Sequence, residues 1–328
     1  MRAKHLKRLV QFIIALGLTL LLGWFLLSQI TWMDLKETYH RMDKTVIFFC
    51  FIIYCLTHLC RAGRYYHMLD KKIKYWDMVT LTAAHNMFTS LLPFRTGELS
   101  FPLLLKKRSI KITHSLTGLG VGRIFDFYIV CLFFLLAVAL SYRILPESLI
   151  QFVPYAIGLI IAIIIISLMV ITHASKVAQF LTARKQRWLV WFGHKMEEMA
   201  IGFRNIHTVR MISFVAFFTF LTWLLQFAWT YWLLSYLFNV NFWVIVVGSS
   251  VAFISTAIPI QGLGNLGTLE YVWRYSFGAV GITPKLAISS GFVFHAINIV
   301  FAIGAGLIGL VFFLRHKPAT QTQVKGKA

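Results

Sequence analysis

Leu92-Pro93-Phe94-Arg95-Thr96-Gly97-Glu98 interrupts an apolar stretch that otherwise runs from Trp76 to Leu105. Proline removes a backbone donor and ends a helical arm. Glycine permits a positive φ or a close backbone approach. Arginine and glutamate in so apolar a setting are costly unless paired or hydrated. The stretch therefore reads as helix, break and helix. Arg61, Arg64, Lys71, Lys72 and Lys74 precede it, and Lys106, Lys107, Arg108 and Lys111 follow it. Basic residues beside apolar segments mark the cytoplasmic side of a bilayer, so the region is expected to enter and leave on that side as a re-entrant hairpin.

A second apolar region, Phe242 to Gly278, is broken at Pro259-Ile260-Gln261-Gly262-Leu263-Gly264-Asn265-Leu266-Gly267. Around the two lie six simpler apolar runs: Leu9–Ile30, Thr45–Leu59, Leu116–Leu140, Phe152–Thr172, Ile212–Phe238 and Leu286–Leu314. Counting back from the basic tail (Arg315, Lys317, Lys325, Lys327) puts both ends of the second broken region outside, so it is expected to dip in from the opposite face. Both termini then lie in the cytoplasm, with 24 Lys and Arg in cytoplasmic segments against 6 in external ones. The expected fold is an all-α polytopic membrane protein of about six transmembrane helices plus two opposed re-entrant hairpins. Opposed broken hairpins are the plan of an inverted repeat, where non-helical backbone lines a shielded site near the midplane. Two independently kinked helices are the alternative.

Composition agrees. Of 328 residues 59% are hydrophobic and 13% charged, whereas a soluble domain carries about 25% charged residues. The chain reads as one integral membrane domain over 1–328, with a cytoplasmic tail at 315–328 and no separate soluble catalytic domain. The formal charge of +21 sits beside apolar runs, which favours anionic phospholipids at the cytoplasmic face over nucleic acid. Leu9–Ile30 follows Arg2, Lys4, Lys7 and Arg8 and reads as an uncleaved anchor. The stretch 174–210 alternates Trp188, Phe192, Met196, Met199 and Phe203 with basic residues, the pattern of an interfacial helix; a plain linker is the alternative. Cys50, Cys55, Cys60 and Cys131 match no metal or redox spacing.

Intramembrane ionisable residues are the site candidates. Arg95 and Glu98 flank Gly97 at the first break, where exposed amides and a guanidinium suit a phosphate or another anion; an Arg–Glu pair that fixes the turn is the structural alternative. Asn86, two turns earlier, adds hydrogen bonding. Arg123 and Asp126 share a helix face at i, i+3. Asp126 can neutralise Arg123 locally, or pair with Arg95 and leave Arg123 for a ligand. Glu270 follows Gly267 in the second hairpin, with Arg274 four residues on in the favourable order. His58, Arg61 and Arg64 close the second span, where snorkelling at the boundary competes with a ligand role. His295 and Asn298 share a face of the last span and read as helix-packing residues.

Three of these patterns resemble the lysylphosphatidylglycerol synthase transmembrane-region family, the flippase-like part of MprF proteins. They are Pro93-x-Arg95-x-Gly97-Glu98, Arg123-Ile124-Phe125-Asp126, and Pro259 through Gly267-Thr268-Leu269-Glu270; Arg64-Tyr65 fits an arginine–aromatic pair usual near the second span. Many members carry Arg three residues after the Gly-Glu, where this chain has Phe101. The resemblance implies lipid translocation across a prokaryotic cytoplasmic membrane. It does not imply lysyl-lipid synthesis, which needs an appended soluble aminoacyl-transfer domain, so no enzyme activity is expected.

The leading expectation is a lipid flippase or transporter for a polar-headed, anionic or phosphate-containing lipid. Its binding residues would be Arg64, Asn86, Arg95, Gly97, Glu98, Arg123, Asp126, Gly267 and Glu270, with no cofactor and no metal. A membrane-embedded lipid-modifying enzyme, such as a lipid-linked glycosyltransferase, is one alternative, although Asp34, Glu37, Asp43 and Glu147 are the only acids on external loops. A non-transporting partner of an envelope-building complex is another. Lipid identity, direction, energy source and self-association are left open.

Overall fold

Caps and prolines set where the apolar runs become helices. The structure, a computed structural model, describes residues 16–17, 19–151, 153–183, 186, 190, 193, 209–255 and 263–316. Among them every regular element is helical. After a helical segment α1 (residues 19–27), Thr31 and Asp34 form a reciprocal capping box that starts α2 (Trp32–His40). The Asp43 carboxylate accepts from the Thr45 amide at 2.7 Å and starts α3 (Lys44–Met68). Pro284, pre-set in φ, opens the last helix, α12 (Pro284–Arg315).

Four helices among the described residues are long and apolar enough to cross a membrane: α3, α6 (Ile112–Ser141), α9 (Val209–Leu234) and α12. The 30 residues of α6 extend about 45 Å, longer than a hydrocarbon core of about 30 Å. Large apolar side chains stand exposed on the outer faces, among them Phe48 and Ile52 on α3, Leu132 and Leu136 on α6, and Leu307 and Val311 on α12. A contiguous apolar exterior is stable in lipid and not in water. The protein is a membrane protein of all-α class.

Several helices outrun the apolar runs that announce them. The run Thr45–Leu59 lies inside α3, which continues through Met68 and so carries Arg61 and Arg64 as interior helical residues. The short α7 (Glu147–Ile150) is followed by α8 (Val153–Thr182), which holds residues 153–172 of the next run; residues 174–182, expected in an interfacial segment, continue that helix. Apart from residues 183, 186, 190, 193 and 209–210, the rest of 174–210 lies outside the described residues, as do 1–15, 18, 317–328 and Pro259-Ile260-Gln261-Gly262.

Both broken regions fold as helix, break and helix. The first is α4 (Tyr75–Leu91), a 3-10 turn (Pro93–Leu99) and the short α5 (Ser100–Lys106). The second is α10 (Phe242–Ser255), a 3-10 turn (Leu263–Asn265) and α11 (Thr268–Ala279). The two 3-10 turns touch, and a Cβ on Gly264 would lie 3.5 Å from the Ser90 carbonyl oxygen. Packing is exchanged between halves: α4 lies against α12, α10 against α6, and α3 against α9.

The apolar interior is divided in two, and the division positions the site. One cluster holds Cys50 and Tyr54 of α3, Val130 and Phe133 of α6, and Phe227 and Leu233 of α9. The other holds Ala62 and Tyr65 of α3, Leu119 and Val121 of α6, and Val215 of α9. On all three helices the polar residues fall between the clusters: Thr57, His58 and Arg61; Arg123 and Asp126; Thr219, Trp223 and Gln226.

Candidate functional site

The polar band encloses a cavity of about 200 Å³ lined from both hairpins and from α3, α6, α9 and α12. Four arginines (Arg61, Arg64, Arg95, Arg123) and two carboxylates (Glu98, Asp126) face it, so the formal charge of its wall is positive. Spacing along α3 explains how one helix supplies so much of the lining. Tyr54, His58, Arg61 and Arg64 recur at three- and four-residue intervals, which puts them on one face.

Arg64 is locked. Its Nη1 donates to Asp126 Oδ1 at 2.6 Å and its Nη2 to Asp126 Oδ2 at 3.3 Å. Further donations reach the Gly122 carbonyl at 3.2 Å, Thr219 Oγ1 at 3.3 Å and the Tyr65 hydroxyl at 3.1 Å. Trp223 Nε1 donates to Asp126 Oδ1 at 3.0 Å. A buried ion pair offsets its desolvation only when the geometry is good and the remaining polar atoms are bonded; this one is bidentate and both Nη atoms make further bonds, while Arg64 Nε is left without a partner. Gly122 makes room for it, since a Cβ there would stand 3.1 Å from both Arg64 Nη2 and the Tyr65 hydroxyl. The partner of Asp126 is therefore Arg64, and neither Arg123 nor Arg95 as the local spacing suggested.

Arg95 and Arg123 share the other acid. Arg95 Nη2 and Arg123 Nη2 approach Glu98 Oε1 at 2.7 and 2.9 Å, so a single carboxylate oxygen ties the first hairpin tip to α6. The tip is tightly built. Arg95 adopts φ 55°, a left-handed conformation rare outside glycine. Gly97 packs against α4 so closely that a Cβ would fall 2.2 Å from the Phe88 carbonyl oxygen. Gly97 thus serves by close approach, and the positive φ falls on Arg95. Asn86 Oδ1 accepts from Arg61 Nη1 at 2.8 Å, and Asn86 Nδ2 donates to the Tyr54 hydroxyl at 2.6 Å. Among the described residues Arg61 has no carboxylate partner.

The second hairpin contributes differently. Glu270 is fully buried and does not line the cavity. Its Oε2 accepts from the Gly267 amide at 2.7 Å, capping α11, and its Oε1 meets His295 Nδ1 at 2.5 Å. Arg274, expected as its partner, lies instead over the rings of Phe25 and Tyr275. Gly267 has φ 83°, and a Cβ there would meet Leu22 Cβ at 2.8 Å. Gly97, Gly267 and Glu270 are thus structural supports, while Arg64, Asn86, Arg95, Glu98, Arg123 and Asp126 come together around the cavity. His58, Arg61, Gln226, His295 and Asn298 line it too. For His58 and Arg61 the signal was the polar stripe down α3.

A smaller pocket of about 110 Å³ adjoins the first and shares Arg95, Arg123, Asp126, Trp223 and Phe253 with it. The rest of its wall is Phe127, Val130 and Ile254, so the guanidiniums stand where a polar chamber meets an apolar one. Among the described residues no three His, Cys, Asp or Glu gather in a way that would hold a metal.

The family model described as "Lysylphosphatidylglycerol synthase TM region" matches residues 12–306. No curated protein and no solved structure matches the chain.

Proposed function

The chain belongs to the lysylphosphatidylglycerol synthase TM-region family, and from that premise we propose that it moves a lipid with an anionic, phosphate-containing head across the cell membrane. One observation carries the reading: Arg95 and Arg123 stand at the junction of a cationic polar cavity and an apolar pocket. A lipid has the same division. Its phosphate is matched by guanidiniums, and the start of its acyl chains by Phe127, Val130 and Ile254. Arg61, bonded to a neutral amide in place of a carboxylate, retains charge for an incoming anion. The contact of the two 3-10 turns and the exchanged packing of the hairpins support an inverted-repeat transporter, and the basic bias supports cytoplasmic termini.

The test is lipid transfer between leaflets of proteoliposomes. Arg95→Ala/Glu98→Ala, shown to be folded by its thermal unfolding, should lose transfer. Unchanged transfer in that variant overturns the assignment.

A further inference from the structure

Three imidazoles line the cavity, and each is held differently. His58 has no partner at either ring nitrogen, and both nitrogens are sealed from the space around them. His85 Nδ1 meets the Ser100 hydroxyl at 2.9 Å. Of the three only His295 faces a carboxylate: its Nδ1 meets Glu270 Oε1 at 2.5 Å, while Oε2 is taken by the Gly267 amide. A carboxylate acceptor fixes the tautomer with its hydrogen on Nδ1, which leaves a lone pair on Nε2. Among the described residues Nε2 has no partner, and unlike the nitrogens of His58 it is not sealed. It belongs to a side chain in the cavity wall.

We infer that His295 is a proton-binding site coupled to the anion in the cavity, so that lipid head and proton load together. As the head enters, a proton from cavity water joins Nε2 while the Nδ1 hydrogen stays directed at Glu270. It returns to water when the head leaves. The inference rests on the lipid-transport reading above and adds a second ligand to it. The charges around His295 make the coupling. From α3 the cavity receives Tyr54, His58, Arg61, Arg64 and Tyr65; from α4, His85. The first 3-10 turn and α6 bring Arg95, Arg123 and two acids already bonded to guanidiniums, Glu98 and Asp126. Glu270 comes from α11, with Arg274 one turn on, while α9 and α10 bring no described ionisable side chain to the wall. On α12 itself Lys285 is paired away with Asp34 of α2. Four guanidiniums oppose a further positive charge in this setting, and an anion among them lifts the opposition in a medium where charges interact strongly. By linkage the proton strengthens anion binding by the same factor.

The experiment is titration calorimetry of the full chain in detergent with dihexanoyl phosphatidylglycerol. Two buffers of different ionisation enthalpy are used, so that the difference in heat counts the protons exchanged. The parent protein should take up about half to one proton per lipid near pH ~7, in the range where imidazoles exchange protons. Its affinity should rise as pH falls, by up to about tenfold per pH unit for one coupled proton. His295→Asn keeps an amide donor toward Glu270 and cannot titrate. That variant should bind the lipid with no uptake and with an affinity independent of pH. Dihexanoyl phosphatidylcholine, with the phosphate but no net charge, should bind without uptake; equal uptake with it overturns the inference. Phosphatidylglycerol binding without proton exchange in the parent overturns the inference and leaves lipid transport standing. Uptake that survives in His295→Asn places the proton on another group, Glu98 or His85, and overturns it too. So does loss of binding by His295→Asn at about pH 8, where an imidazole is commonly neutral, because it would make the ring a plain contact. A parent protein that binds no phosphatidylglycerol overturns both readings.

Discussion

The two hairpin breaks are built from the same residue types and do opposite things. Each holds glycine, a residue forced to positive φ (Arg95 at 55°, Asn265 at 63°) and a glutamate three or more positions beyond that residue. At the first break the glutamate side chain is 23% exposed, faces the cavity and is shared by two arginines. At the second it is fully buried and bonded to its own helix start and to His295. The difference lies in the partner. Both guanidiniums use Glu98 Oε1, on a side chain part-exposed to the cavity, whereas one imidazole and one amide consume both oxygens of the buried Glu270. The first break is thereby fitted to handle charge, and the second to hold the fold around it.

Exchanging the roles would break this contrast, so the largest effect should come from Glu270. Glu270→Ala strands the Gly267 amide and His295 Nδ1 in a closed site and removes a cap. The expected loss is about 3 kcal/mol, within the range for breaking a buried pair, read as a large fall in thermal unfolding temperature of the purified protein. Glu98→Gln should cost under about 1 kcal/mol, as partly exposed pairs do, yet change lipid binding by releasing Arg95 and Arg123. If Glu98→Gln proved the more destabilising of the two, the assignment of roles would be wrong.

Glycine substitutions sharpen the comparison at a smaller scale. Gly97→Ala sets a Cβ against the Phe88 carbonyl and the Thr89 Cα, at 2.2 and 2.6 Å. Both are backbone atoms, with no rotamer to yield, so the turn must lift off α4, at about 1–3 kcal/mol as for other overpacked sites. Gly267→Ala imposes a side chain on φ 83° at about 1–2 kcal/mol, and its contacts, Leu22 Cβ at 2.8 Å and the Gly23 nitrogen at 3.3 Å, are longer than those at Gly97 and lie on a separate helix that can shift. Thermal unfolding should therefore rank Gly97→Ala below Gly267→Ala in stability. The reverse order would mean that the second break is the tighter joint.

How much of this was legible in the sequence follows the range of each interaction. The apolar runs, the two breaks and the basic flanks are local, and they gave the helices and the interruptions. Helix ends were misjudged where protein shields charge: α3 runs on through Arg61 and Arg64 because Asp126 and Asn86 receive them. Pairings across the fold had no local signature. Arg64 meets Asp126 from 62 positions away, and Glu270 meets His295 from 25. Rules of helical spacing pointed to Arg123 and Arg274, which sit on the right face but look elsewhere. His58, His295 and Asn298 were singled out but read as boundary or helix-packing residues, and Gln226 was missed, because a carboxamide draws less notice in an apolar run than arginine does. The polar recurrence Tyr54, His58, Arg61, Arg64 was the available clue.

The smallest expected effect lies beyond the second hairpin, where α12 begins. Asp34 on α2 meets Lys285 at 2.8 Å, and Thr38 of α2 donates to Ser289 of α12 at 3.0 Å. Hydrogen bonds from the Lys285 ammonium and then the Thr31 amide hold the Asp34 carboxyl down to about 2, from an ordinary 3.8. Folding lowers this pKa, so the contribution of Asp34 is complete above the unfolded value and is lost as pH falls through the folded one. Asp34→Asn removes that contribution at every pH. The unfolding temperature of the parent protein should exceed that of the variant by a small, constant margin above about pH 5, and the margin should close as pH falls toward the folded value of about 2. Following the difference between the two proteins isolates this carboxyl from every other acid that titrates in the same window. A margin that persisted to the lowest pH would show that the α2–α12 contact rests on the shape of Asp34 and the neighbouring Thr38–Ser289 hydrogen bond, and not on its charge.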